Sequence, residues 1–388
     1  MPSDTSAAQT TKCRRLRDRS SDTGYDTSHQ RPEKDKVMNF KRKHWAALTA
    51  AGLTVNMPVS HAQSNVTLYG MADVFVGSVK NPGGRAAVVN QGGGMSTSFW
   101  GLSGKEDLGG GNSAFFVLES YFQPQNGAYG RYTGDSFFSR NAFVGLSTKF
   151  GQLRAGRITT PLYLATIQFN PLFNSYTFSP MIFQTFKGLG TEGVVGDSAW
   201  NNAVSYTSPT LGGFNAGVLY ALGNTAGENG AKKWSVNANF VRGAFAAAAV
   251  YQYVNFNATP GDLGKTLTGV PGLYSQSTAQ LNVSYDFGFV KLYAQYMNVE
   301  DRSRTGNFHG NTGQAGVSVP IGVGALLASY AYTRSSGGAT DGQHRSTGAL
   351  GYDYPLSKRT DLYTAIKLDH FDNESTGVTY GAGMRTRF

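Results

Sequence analysis

The sequence has little cysteine and little histidine, and this limits the kinds of site it can build. Among 388 residues Cys13 is the single cysteine, and three of the six histidines lie within the first 62 residues. A disulfide framework is therefore excluded, and too few ligands remain after residue 62 for a cysteine–histidine metal cage. Neither a metal nor a cofactor is predicted.

Long apolar runs are also absent, and charged residues are few. No run reaches the roughly 18 apolar residues of a membrane-spanning helix after the N-terminal region. The formal net charge is +10, but the first 62 residues hold eleven Lys/Arg and six Asp/Glu, which leaves a net charge of +5 beyond them. These later basic residues are scattered through the strand region, whereas nucleic-acid binders cluster them, so no nucleic-acid partner is predicted.

The N-terminal region has the features of a targeting signal. Residues 38–62 read MNFKRKHWAALTAAGLTVNMPVSHA, with a basic start, a short apolar core and small residues at Ser60 and Ala62. That order is typical of a secretory signal peptide, and we predict cleavage between Ala62 and Gln63. Residues 1–37 are predicted to be disordered. They are either the product of a start codon assigned upstream of Met38, which we favour, or an extended leader.

From Asn65 onward, residues 63–388 read as short segments in which apolar and polar side chains alternate, which predicts β-strands. The 50 glycines, 24 phenylalanines and 21 tyrosines suit strands and turns better than long helices. In the first segment Val66, Leu68 and Val76 share one face, and Asp73 lies on the other with Phe75. We expect Asp73 to be a solvated charge inside a lumen rather than a binding site.

The connections between these segments alternate between short and long. In an up-and-down sheet successive connections lie at opposite ends of the strands. One end therefore carries only short turns and the other carries the long loops, as in outer-membrane barrels. A β-sandwich would not explain this asymmetry, and a β-solenoid would show a short repeat that is absent. The short turns lie near residues 106–111, 149–151, 208–213, 242–243, 286–288, 320–324 and 355–359. The longer loops lie near residues 80–94, 123–136, 158–198, 222–232, 256–277, 301–309 and 335–344, with a shorter one near 372–375.

About sixteen strand candidates lie between these connections, which predicts an all-β, sixteen-stranded antiparallel transmembrane β-barrel. Such a barrel must close in lipid, because unpaired backbone groups in hydrocarbon cost several kcal/mol each. The last segment therefore has to pair with the first. It alternates to its end, with Met384 and Phe388 on the lipid side and Arg385 and Arg387 on the lumen side. Phe388 is predicted to lie in the aromatic girdle at the membrane surface.

Seven stretches along the chain resemble one known family. They are NVTLYGMAD (65–73), GKEDLGGG (104–111), VLESYF (117–122), FSRNAFVGLS (138–147), GRITTPLY (156–163), NNAVSYTSP (201–209) and GMRTRF (383–388). Together they are similar to the trimeric general-diffusion porins of Gram-negative outer membranes, in the branch with the motif Gly-Arg-x-x-Thr-Pro-Leu-Tyr. The resemblance implies a water-filled barrel, a homotrimer, a third outer loop folded into the lumen, and an assembly signal at Phe388.

The resemblance also implies which residues line the pore constriction. By motif, Arg140 matches a wall arginine, Arg157 the arginine that opens the third loop, and Glu119 an inward acid. Two basic positions of the family are Phe99 and Ala199 here, so Arg140 is expected to be the main, unpartnered fixed charge and any anion preference to be weak. The arginines could equally serve only to hold the loop by ion pairs. The candidate constriction residues are Arg140, Arg157, Glu119, Arg154, Lys187, Glu192 and Asp197.

The third loop, residues 158–198, is unusually rich in aromatic residues for a loop in solvent. Two interpretations stay open: a small core packed against the wall, which we favour, or a surface along which solutes slide. The aromatic residues concerned are Tyr163, Phe169, Phe173, Tyr176, Phe178 and Phe183.

The predicted function is therefore passive diffusion of small hydrophilic solutes and ions through an integral multi-pass β-barrel of the outer membrane. The expected partners are outer-membrane lipid, lipopolysaccharide and the barrel-assembly machinery. No enzyme is predicted, since the few histidines after residue 62 lack a nucleophile motif. The alternatives are an adhesin or receptor that uses its long loops, and a substrate-preferring channel with an aromatic third loop.

The signal-peptide interpretation predicts that the mature protein begins at Gln63 and contains no cysteine. Intact mass of protein extracted from outer membranes measures this. Retention of residues 1–37 in the mature chain would contradict the prediction.

Overall fold

The computed structural model describes residues 65–188, 193–224, 232–255, 272–304 and 306–388. The leader, the signal peptide and its cleavage site at Ala62 and Gln63 lie outside these residues and stay predictions. Glu192 of the third loop lies outside them as well.

Sixteen long strands form the wall of a closed antiparallel barrel, which confirms the predicted fold class, and two short strands, β2 and β5, lie in loops. The alternation of short turns and longer loops is also as predicted. The strands are β1 (Asn65–Val79), β2 (Ala87–Gly92), β3 (Phe99–Gly109), β4 (Asn112–Gln123), β5 (Ala128–Tyr129), β6 (Asn141–Thr148), β7 (Gly151–Thr159), β8 (Ala199–Thr207), β9 (Phe214–Ala221), β10 (Lys233–Arg242), β11 (Phe245–Asn255), β12 (Leu273–Asp286), β13 (Lys291–Ser303), β14 (Phe308–Ile321), β15 (Gly324–Gly337), β16 (His344–Pro355), β17 (Thr360–Phe371) and β18 (Gly377–Arg387).

The barrel closes where β18 pairs with β1, in a register that sets Met71 opposite Arg387. Beyond β18, Phe388 exchanges two backbone hydrogen bonds of 3.1 Å with Gly70. The other edge of β1 pairs with β3 over its first half and with β2 over its second half. No free sheet edge therefore remains at the point of closure.

Side chains along the wall alternate between the two faces as the sequence predicts. In β18, Met384 is 51% exposed on the outer face, and its neighbour Arg385 is only 4% exposed on the inner face. In β1, Val76 is exposed while Asp73 and Phe75 are buried. The expectation that Asp73 is a solvated lumen charge is wrong, because its carboxylate is fully enclosed by neighbouring groups.

The third long loop, residues 160–198 (loop 3), contains the two α-helices of the described chain. Helix α1 (Pro161–Gln168) begins after Thr160, whose hydroxyl accepts a hydrogen bond from the backbone of Tyr163. Helix α2 (Pro180–Lys187) begins in the same way after Ser179. Each start joins a side-chain cap to a proline at the first helical position, where its missing N–H costs nothing. Among the described residues, no helix is long and apolar enough to cross a membrane.

The packing of Phe388 generates a prediction about assembly. Its ring lies over Gly70, so closely that a Cβ on that glycine would come within 2.5 Å of it. Phe388→Ala should lower the yield of folded, heat-modifiable trimer by removing this contact, and deletion of Phe388 should lower it further because both backbone hydrogen bonds go too. Gel mobility of unheated samples measures the yield.

Phe150→Ala is the matched control, since Phe150 is also an exposed ring beside a turn and has no role in closure. Equal yields from the parent and the Phe388 deletion would contradict the prediction.

Candidate functional site

Loop 3 lies inside the barrel, which confirms the expected position of this loop. Leu162 and Phe169 of the α1 region pack with Met297 and Val299 on the inner face of β13. Farther along the loop, Phe178 joins a second buried cluster with Phe75 of β1, and the two rings meet edge to face at 5.5 Å. Loop 3 therefore fills part of the lumen.

Helix α2 is held to β15, β16 and β17 by polar and cationic groups of the wall. The side-chain amide of Gln184 donates to the carbonyl of Ala331 at 3.0 Å and to the hydroxyl of Thr347 at 2.8 Å. Arg345 donates to the carbonyl of Gly188, where the helix ends, and Arg345 itself pairs with Asp369 at 2.8 Å. This side of the loop is thus attached to the wall.

The aromatic residues of loop 3 fall into two groups. Tyr163, Phe169, Phe178 and Phe183 are buried, and Phe183 lies beneath the ammonium group of Lys367 at 3.4 Å. Tyr176 is half-buried beside Phe186, with ring centroids 5.6 Å apart, and Phe173 is half exposed. Most of these rings therefore form a core against the wall, whereas Phe173 and Tyr176 stay partly exposed.

Three elements meet at Asp197, at the end of loop 3. Arg157 of β7 donates to its Oδ2 at 2.6 Å, and Arg131 from the loop after β4 (residues 124–140, loop 2) donates to both of its oxygens at 2.6 and 3.0 Å. Arg131 also bonds Asp135 through two nitrogens. Arg157 further bonds the carbonyls of Ser139 and Ala199, which close the bases of loops 2 and 3.

The ionised forms of this network stabilise one another. Burial alone would raise the pKa of Asp197, but hydrogen bonds and charge from Arg131 and Arg157 hold that pKa well below its usual range. Burial alone would lower the pKa of Arg131, but its two carboxylate partners raise it instead. Burial raises the pKa of Tyr176, so this ring stays neutral. Asp197 therefore remains ionised at neutral and mildly acidic pH.

Glu119 and Arg140 form a second ion pair on the wall. Glu119 also accepts hydrogen bonds from Tyr69 at 2.8 Å and from Asn141 at 2.5 Å. The guanidinium of Arg140 lies 4.2 Å from the centre of the Phe99 ring. The expectation that Arg140 is unpartnered is therefore wrong, because the inward acid that the sequence identified separately is its partner.

The remaining candidates lie apart from these pairs. Arg154 of β7 bonds Gln152 at 2.8 Å and lies over the ring of Phe143, toward the short-turn end of the barrel. Lys187 is exposed at the end of α2. The structure thus brings together Arg140 with Glu119 and Arg157 with Asp197.

A cavity of about 1000 Å³ lies above these pairs at the long-loop end. Its walls come from loop 1 (residues 80–98), loop 2 and loop 3, and they include Asn90, Arg131, Tyr176, Lys187 and Asp197. This cavity, shared by three loops at one end of the barrel, lies where an entrance vestibule would lie, and we call it the vestibule.

Arg131 was missed by sequence reasoning. It lies in a loop that reads as solvent-exposed, yet its side chain is only 18% exposed and is held 5.5 Å from the rings of Tyr121 and Tyr132. The one available signal was Asp135, four residues later, because it can pair with Arg131 and turn the loop inward.

Comparison with known proteins gives one family. The sequence profile described as Gram-negative porin matches residues 46–374. Outer membrane porin protein 32 of Delftia acidovorans is 33% identical over 325 residues, which cover 82% of this chain and 86% of that protein.

Solved structures give the same result. The anion-selective porin from Comamonas acidovorans has a TM-score of 0.71 and 27% identity, over 84% of this chain and 100% of that one. A trimer form of OmpT from Vibrio cholerae has a TM-score of 0.63 over 84% of this chain and 99% of its own, and at 14% identity it shows the fold alone.

The Asp197 network predicts the effect of removing Arg131. Arg131→Ala leaves Asp135 without its guanidinium partner, and breaking a buried pair in this way costs about 3–5 kcal/mol. It also leaves one more carboxylate than arginine beside the passage. We expect a lower unfolding temperature and a reversal potential shifted toward cations, measured by heat modifiability and in planar bilayers.

Arg302→Ala serves as control, since Arg302 forms an exposed pair with Glu300 in β13. A selectivity of the Arg131 variant equal to that of the parent would place this residue outside the permeation path.

Proposed function

This chain belongs to the Gram-negative porin family and forms a water-filled outer-membrane channel for passive diffusion of small hydrophilic solutes and ions, and we propose that its constriction is nearly charge-balanced. Solutes pass from the vestibule between loop 3 and the wall that carries Arg140 and Glu119. Three arginines and three carboxylates face each other along this route. The observation that carries the proposal is their complete pairing.

Charge balance predicts weak ion selectivity. A lone charge within about 10 Å of the path, the Debye length at 0.1 M salt, biases which ion enters, whereas paired charges of opposite sign largely cancel at that distance. Phe99 occupies a position that is basic in the porins which this chain resembles, so the wall carries one positive charge fewer. Its ring instead covers the guanidinium of Arg140. The channel therefore discriminates mainly by size, with at most a weak anion preference that fades in high salt.

A homotrimer is part of the proposal. The outer face of the first wall strands is apolar and exposed at Val66, Leu68, Val144, Leu146 and Leu153. The resemblance to the trimeric general-diffusion porins supports this assembly, and Phe388 is proposed as the signal that the barrel-assembly machinery reads. Lipid and lipopolysaccharide would cover the rest of the outer face. The relatives are channels rather than enzymes, and we propose no catalytic activity.

The constriction predicts opposite shifts for two substitutions. Arg140→Ala frees the carboxylate of Glu119 and should move the reversal potential several millivolts toward cations. Phe99→Arg adds a positive charge at the same level of the wall and should move it toward anions. The measurement is the reversal potential across a tenfold KCl gradient, with the parent close to zero.

Both variants should still form the barrel, because lumen-facing substitutions leave the lipid contact unchanged, and Arg140→Ala should lower the unfolding temperature because Glu119 loses its guanidinium partner. If both reversal potentials equal that of the parent, the two residues do not line the path and the proposed constriction is misplaced.

A further inference from the structure

Asp73 is a fully buried carboxylate in β1 with four hydrogen-bond donors directed at it. Three successive backbone N–H groups in the returning half of loop 1, those of Gly94, Met95 and Ser96, donate to its two oxygens at 3.0, 3.1 and 2.9 Å. The hydroxyl of Tyr363 in β17 donates at 2.5 Å. A carboxylate that accepts from three consecutive backbone N–H groups determines the path of that backbone.

The returning half of loop 1, residues 93–98, is packed tightly around this carboxylate. Gly94 lies so close to Tyr363 that a Cβ would come within 1.9 Å of its hydroxyl, so only glycine fits there. Ser98 exchanges hydrogen bonds with the backbone of Asp73 at 2.9 and 3.2 Å. The carbonyls of Gly93 and Gly94 in this segment accept hydrogen bonds from loop 3, whereas that of Ser98 accepts from Phe122 of β4.

The tip of loop 3, residues 175–178, is hydrogen-bonded to the carbonyls of Gly93 and Gly94. The hydroxyl of Thr177 donates to the carbonyl of Gly93 at 2.9 Å, and the hydroxyl of Ser175 donates to that of Gly94. Ser175 in turn accepts from the backbone N–H of Phe178 at 2.8 Å. The loop tip is therefore hydrogen-bonded to the backbone of loop 1, and that backbone is in turn hydrogen-bonded to Asp73.

We propose that Asp73 is a positioning residue that sets the width and steadiness of the channel through loop 1, without touching solute. Gly93 and Thr177 line the vestibule, so the bond between them lies at the entrance to the passage. When this chain of bonds opens, the tip of loop 3 moves into the passage and interrupts the current. This inference rests on the proposed route between loop 3 and the wall.

Asp73→Asn tests the inference at nearly constant volume. The amide has one acceptor oxygen in place of two and presents its own donors to the loop 1 backbone, so at least one N–H group loses its partner. We expect brief closures in single-channel records to become roughly tenfold more frequent, which corresponds to about 1.4 kcal/mol. Thr177→Val breaks the chain at its other end and should give the same change.

The double variant separates positioning from a general loss of stability. Since both substitutions interrupt one chain of bonds, Asp73→Asn with Thr177→Val should give about the closure frequency of either single variant, at unchanged heat modifiability. Asp286→Asn is the control, because its carboxylate caps the backbone of Gly288 at a short turn, far from loop 3. It should match the parent.

Parent-like closure frequencies in both single variants would overturn the inference, and so would effects that multiply in the double variant. Either result leaves the proposed function intact as long as these proteins conduct. A parent that does not conduct would instead refute the proposed function.

Discussion

The pairing of β18 with β1 is the interaction on which the rest of the structure depends. In hydrocarbon an unpaired backbone N–H or C=O costs several kcal/mol, so a sheet can cross a membrane only as a closed cylinder. Closure requires an ordered last strand, and the hydrogen bonds of Phe388 with Gly70 extend the pairing to the final residue. Closure of the barrel also gives every strand a lipid face and a lumen face, which determines where polar side chains can lie.

The polar lumen face is what allows loop 3 to lie inside the membrane thickness. Irregular backbone is tolerated at that depth only where protein or water satisfies its polar groups. Wall glutamines do so here: Gln295 donates to the carbonyls of Thr166 and Phe169, and Gln276 both donates to Gly193 and accepts from Val195. Loop 3 is therefore attached to the wall along one side by amides and on the other by Asp197 and loop 1.

The fold was predictable because its signals are periodic and local. The alternation in β1 and β18, and the contrast between short turns and long loops, follow from single strands and their ends. The partners of individual charges were not predictable, because they depend on residues brought together from distant parts of the chain. From the sequence Arg140 is expected to be unpartnered, but in the structure β4 places Glu119 beside it. Arg131 is expected to be exposed, but loop 2 folds inward and pairs it with Asp197. Asp73 reads as solvated because nothing in the sequence shows that loop 1 returns to wrap it.

We expect loop 3, held inside a closed barrel, to set the width of the passage. Its two ends meet, since the backbone N–H of Thr160 donates to the carbonyl of Ser198 at 2.9 Å, so a short Gly-Ser linker can replace residues 161–195 without opening the wall. The decisive measurement is single-channel conductance of the parent and this variant in the presence of neutral polymers of increasing size. We expect a larger conductance and a larger excluded size for the variant. Equal conductance and equal excluded size in the two proteins would contradict it.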